Sequence, residues 1–97
     1  MVTVALVVKL TAKPETAEEV GTFLAGAVDL ARAEPGTPIW LALKTDDVTY
    51  WIVDAFPSDT ERQEHLSGPI AEALMANADR LLAAPPEILP ADVLASL

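Results

Sequence analysis

Two short runs of this 97-residue chain are apolar on both faces, and no other feature limits its folds as strongly. Residues 2–10 read VTVALVVKL and residues 48–56 read VTYWIVDAF. Both are short and rich in β-branched or aromatic side chains, as strands are. Alternation puts Val2, Val4, Leu6, Val8 and Leu10 on one side of the first run, with Thr3, Ala5, Val7 and Lys9 on the other. In the second run Val48, Tyr50, Ile52, Asp54 and Phe56 oppose Thr49, Trp51, Val53 and Ala55. A two-layer domain covers one face of its sheet with helices, so a second apolar face predicts cover by a partner subunit. The expected assembly is a homodimer.

Between the two runs, Lys13-Pro14-Glu15-Thr16 opens a helix with Glu15, Glu18 and Glu19 in its first turns. Val20, Phe23, Leu24, Ala27, Val28 and Ala31 recur at helical spacing, and Glu34-Pro35-Gly36 ends the helix. Gly21 and Gly26 are costly inside it; either they admit a close approach to the sheet or they are simply tolerated. Residues 38–44, PIWLALK, form a second strand, joined to the third by a hairpin connection through Asp46-Asp47. After Pro57, Ser58 or Asp59 caps a short helix reaching Leu66. Ser67-Gly68-Pro69 interrupts it, and a second piece runs from Ile70 to about Ala83 before Pro85-Pro86. The tail is expected to supply a fourth strand in two parts, residues 87–89 and 93–97, with a break at Pro90. Strand, helix, strand, strand, helix, strand in one domain spanning residues 1–97 predicts an α+β ferredoxin-like fold with a four-stranded antiparallel sheet.

Composition narrows the partners. Fifteen acidic residues against six basic ones give a net charge of −9, a field that repels nucleic-acid backbones and anionic membranes. The chain has no cysteine, which excludes disulfides and thiolate chemistry and fits a cytoplasmic protein. One histidine and scattered carboxylates do not make a zinc or iron site, and four scattered glycines do not make a phosphate loop. No metal or other cofactor is expected.

Groups able to do chemistry are few. His65 is the only side chain that ordinarily titrates near neutrality. It reads either as a pocket base or donor, or as a histidine packed at a helix end. Asp54 interrupts an apolar strand, between Ile52 and Phe56 on one face. A carboxylate there must be hydrogen-bonded, paired or shifted in pKa. It reads either as the base that deprotonates a phenol or as a partner in an ion pair or helix cap. Tyr50 and Phe56 share its face and are placed to flank a flat apolar ligand, or to fill the core. The rings of Trp51 and Trp40 are expected at the subunit interface.

The chain resembles the antibiotic biosynthesis monooxygenase family along nearly its whole length. The markers are TAKPE after the first strand, RAEPG after the helix, DAF closing the hairpin, then EHLSGP and APPEI. The resemblance implies a dimeric α+β barrel, with a pocket between sheet and helices in each subunit. Characterised members oxidise phenols to quinones without metal or flavin, while related proteins degrade haem or act on small quinones. The family's important tryptophan on the third strand matches Phe56 here, and its asparagine four residues earlier matches Ile52. The first-strand asparagine of the haem-degrading members falls near Val7, and their helical histidine near Met75 or Asn77. His65 matches a histidine common before the interrupted helix. The function this implies is cofactor-independent oxidation of an aromatic, phenolic or quinol-like molecule. Asp54 and His65 are then the catalytic candidates, and Tyr50, Ile52, Phe56 and Val7 the substrate-binding ones. The competing reading, prompted by the apolar Ile52, Val7 and Phe56, is a non-catalytic dimeric binding or accessory protein.

Overall fold

A computed structural model describes residues 1–97. Strand β1 spans Val4–Thr11, helix α1 Ala17–Arg32, strand β2 Ile39–Lys44, strand β3 Thr49–Phe56, helix α2 Asp59–Leu66, helix α3 Pro69–Leu81 and strand β4 Glu87–Asp92. The sheet is antiparallel throughout, in the order β2-β3-β1-β4, and the three helices pack on one of its faces. This is a ferredoxin-like α+β architecture.

The pleat divides the strands as their alternation predicts. Leu6, Val8 and Leu10 of β1, with Tyr50, Ile52 and Phe56 of β3, form the core with Val20 and Leu24 of α1 and Leu74 and Leu81 of α3. Helix α1 buries Val20, Leu24, Ala27 and Ala31, positions that lie on one stripe at helical spacing. The two glycines of α1 differ in reason. A Cβ at Gly21 would stand 3.2 Å from the Tyr50 hydroxyl, which donates to the Ala17 carbonyl at 2.8 Å, so the missing side chain admits that ring. At Gly26 nothing lies within 4 Å. Asp46 builds the hairpin turn by accepting from the Val48 and Thr49 amides at 3.0 and 2.8 Å.

Three local expectations are corrected. The tail forms one continuous strand through Pro90, and residues 93–97 lie outside it. Because β4 is an edge strand, a proline costs it no ladder bond when its nitrogen faces outward. The inward amide of Val93, bonded to the Thr3 carbonyl, sets the alternation that turns Pro90 outward. Ser58 stands at the N-cap of α2, but its hydroxyl bonds the Glu61 carboxylate and leaves the helix amides uncapped. Trp40, finally, is directly opposite Asp54 in the β2–β3 register and packs against the core on the helix side. Residues opposite one another share a face, so Trp40 does not belong to the helix-free surface, whereas Trp51 does.

That surface is apolar and largely bare. Across the strands run the rows Leu41-Val53-Val7-Leu89 and Ile39-Ala55-Ala5-Ala91. Leu41 and Leu89 are about half exposed, at 51% and 52%. No helix is long and apolar enough to cross a membrane.

Candidate functional site

The end of β3 brings together the buried polar side chains of the molecule. Asp54 is completely buried on the helix side of the strand, three residues before Pro57 leads the chain into α2. His65 occupies the last turn of α2, a helix whose other side chains are mostly polar. The eight-residue length of α2 brings its C-terminal turn back over β3, where the imidazole is 7% exposed. Its ring lies 5.3 Å from the Phe56 ring, centroid to centroid. Glu34 arrives from the α1–β2 connection, which Thr37 tightens through an amide bond to the Glu34 carbonyl at 3.2 Å.

The imidazole is held between two carboxylates. Its Nδ1 lies 2.6 Å from Glu34 Oε1, and its Nε2 lies 2.9 Å from Asp54 Oδ2. Glu34 Oε1 also accepts from the Thr37 hydroxyl at 2.8 Å. The Asp54 contact is close but off the ring N–H direction, so it is a charge contact more than a hydrogen bond. Both Asp54 oxygens, like Glu34 Oε2 and the Trp40 indole N–H, are buried without an aligned partner. Burial alone would pull the His65 pKa down. The charge of the close Asp54 carboxylate and the hydrogen-bonded Glu34 carboxylate outweigh it and hold the pKa above its ordinary 6.5.

His65 opens onto a depression of about 170 Å³, lined also by Glu34, Gly36, Thr37, Glu61, Glu64 and Gly68. Asp54 sits behind the histidine and does not line it. Gly68 leaves room for this packing: a Cβ there would lie 3.2 Å from the His65 carbonyl and 3.5 Å from Glu34 Oε2. The structure therefore brings Asp54, His65 and Phe56 together. Tyr50 and Ile52 lie deeper in the core, and Val7 is on the opposite face of the sheet. No three His, Asp or Glu side chains are arranged to hold a metal ion.

Glu34 was not among the residues singled out from the sequence. It reads there as part of a helix-terminating Glu-Pro-Gly, and nothing local ties it to a histidine 31 positions later. The one usable signal is indirect, because a buried histidine beside a buried aspartate still leaves a second ring nitrogen to satisfy.

The fold and this site define the class as a ferredoxin-like α+β domain with a charged cluster under the sheet end. A protein of unknown function from Nitrosomonas europaea, NE2512, superposes with a TM-score of 0.98 at 47% identity, covering 100% of this chain and 94% of its own. The chain belongs to the family of that protein. Rv0793 from Mycobacterium tuberculosis has the same fold, with a TM-score of 0.86 at 19% identity over 97% of each chain. So does a candidate antibiotic biosynthesis monooxygenase from Caulobacter crescentus, with a TM-score of 0.81 at 21% identity over 97% of this chain and 92% of that one. No protein-family model and no curated protein matches the sequence.

Proposed function

We propose that this chain is a cofactor-independent monooxygenase of the antibiotic biosynthesis monooxygenase kind, working as a homodimer on a single-ring phenol or quinol. The observation that carries the reading is the buried Asp54–His65 pair, whose histidine faces a depression at the end of β3. The shared fold with a candidate antibiotic biosynthesis monooxygenase supports the activity class. At about 170 Å³ the depression is smaller than the roughly 300–1,000 Å³ usual for ligand pockets, which favours a small substrate. Asp54 or His65 removes the phenolic proton; a ring carbon of the electron-rich anion then bonds to dioxygen, and the O–O bond of the resulting hydroperoxide breaks with loss of water, leaving one oxygen on the ring as a quinone carbonyl. The protein orients the anion and excludes water around it. The second subunit covers the apolar row of Leu41, Val53, Val7 and Leu89.

The test is oxygen uptake with a panel of phenols and hydroquinones in the presence of a chelator. Uptake by the wild-type protein, reduced by about 10²–10⁴-fold in Asp54→Asn, supports the reading, that being the usual worth of acid–base catalysis. Absence of uptake across the panel overturns it.

A second reading, a dimeric binding protein without turnover, draws on the filled space between sheet and helices. Tyr50, Ile52 and Phe56 are each at most 5% exposed, and the Tyr50 hydroxyl is committed to the Ala17 carbonyl. Saturable binding of a panel compound without oxygen uptake would select it.

A further inference from the structure

We propose that Glu34 is a positioning residue of this site: it grips His65 by Nδ1, turns Nε2 toward Asp54, and so holds the imidazole as a cation between two carboxylates. His65 then stands at the wall of the depression as a fixed cation that takes the phenol as its anion, with Asp54 behind it as a buried counter-charge. The inference rests on the proposed oxidation for its catalytic consequence, but its geometry stands without it.

Three observations carry it. First, the two ring nitrogens face two different carboxylates, at 2.6 Å and 2.9 Å. A neutral imidazole has a single N–H and must present a lone pair to one of them. Only the protonated ring suits both. A ring held in that form has no lone pair with which to act as base, and it meets Asp54 as a charge contact behind it.

Second, Glu34 is itself held. Its Oε1 takes the Thr37 hydroxyl at 2.8 Å as well as the histidine, and its side chain is only 16% exposed. A carboxylate fixed from two sides presents one oxygen to Nδ1 and keeps the ring from swinging out toward the depression. Third, the grip ties three segments that are far apart in sequence: the α1–β2 connection, the end of β3 and the last turn of α2. Exposure rises from Asp54 at 1% through His65 at 7% to Glu34, so the anchor is on the outer side and the buried counter-charge on the sealed side.

The charged groups around the imidazole are Glu34 from the α1–β2 connection, Asp54 from β3, and Glu61 and Glu64 from α2 itself. Glu61 is further engaged by the Ser58 hydroxyl, which holds its carboxyl below the usual range. Glu61 and Glu64 line the same depression without bonding the ring, so they add to the negative field but do not orient the histidine.

The experiment is an NMR titration of the His65 side-chain nitrogens in wild-type protein, Glu34→Gln and Thr37→Val. Wild-type His65 is expected to be protonated on both nitrogens at neutral pH. Glu34→Gln keeps the shape and removes the charge, and is expected to move the titration to lower pH with loss of the Nδ1 proton signal first. Thr37→Val removes one of the two bonds that fix Glu34, and is expected to move the titration to lower pH by less than Glu34→Gln does. Shifts to lower pH in both variants, larger in Glu34→Gln, support the inference. An unchanged titration in Glu34→Gln overturns it, as does a neutral His65 in the wild type at neutral pH. Should Glu34→Gln fail to fold, the wild-type protonation state and the Thr37→Val shift still decide it. If some phenol is turned over, Glu34→Gln should lower kcat more than it changes KM. If none is, the oxidation reading falls and the titration still judges the role of Glu34.

Discussion

The two faces of the sheet carry the same kinds of side chain and have opposite fates. On the helix side Leu6, Ile52 and Phe56 are at most 3% exposed, and the one carboxylate among them is met by a histidine. On the other side Ile39, Leu41 and Leu43 are 39–51% exposed with nothing over them within the chain. The covered face is chemically specified, because each polar group buried there constrains the others. The bare face is specified only by shape and apolarity, which suits a surface completed by a second copy. In the proposed reading the chain places its chemistry on the face it seals itself and leaves the other for a second copy.

This contrast can be broken from either side. The largest effect is expected from Phe56→Ala, which removes a fully buried ring in contact with His65 and should cost about 3–5 kcal/mol in urea unfolding. A loss well under that range would mean the covered face is loosely packed. Val53→Asp should act on the other face. It adds an unpaired charge to the proposed interface, a penalty of about 3–5 kcal/mol where a buried charge lacks its partner, and should give monomers in sedimentation with the fold intact. A dimer that persists in Val53→Asp would place the contact elsewhere.

A smaller, pH-dependent effect belongs to the charged cluster. His65 has a folded pKa raised above its ordinary 6.5, so folding is favoured by its protonation. Its contribution is fully present below pH 6.5 and is lost as pH rises through the folded value. The stability difference between wild type and His65→Gln should therefore shrink from mildly acidic to alkaline pH. A difference that grows with pH would contradict the protonated ring.

Much of the covered face was legible in the sequence because strand alternation is a local rule. Once residues 48–56 were read as a strand, Tyr50, Ile52, Asp54 and Phe56 had to share a face. The partnership of Asp54 with His65 was open, since the aspartate read equally as a base or as one half of an ion pair. Trp40 was misjudged because β2 is nearly apolar along its length, and its parity is fixed only by which residue of β3 it meets. Glu34 was invisible for a related reason: its role depends on how the α1–β2 connection folds back over α2, a tertiary fact that Glu-Pro-Gly does not encode. The tail was read as two pieces because proline usually ends a strand, and only its place at the edge of the sheet makes it harmless.

The outward-facing Pro90 also has a consequence for the protein in a crowded solution. An open sheet edge is a template on which another extended chain can grow. Midway along β4, between the outward amides of Ile88 and Asp92, this edge has no hydrogen to offer. A stray strand docking there meets a gap and cannot zip past it. The residue that looks like a flaw in the fourth strand blunts this edge of the sheet as a template.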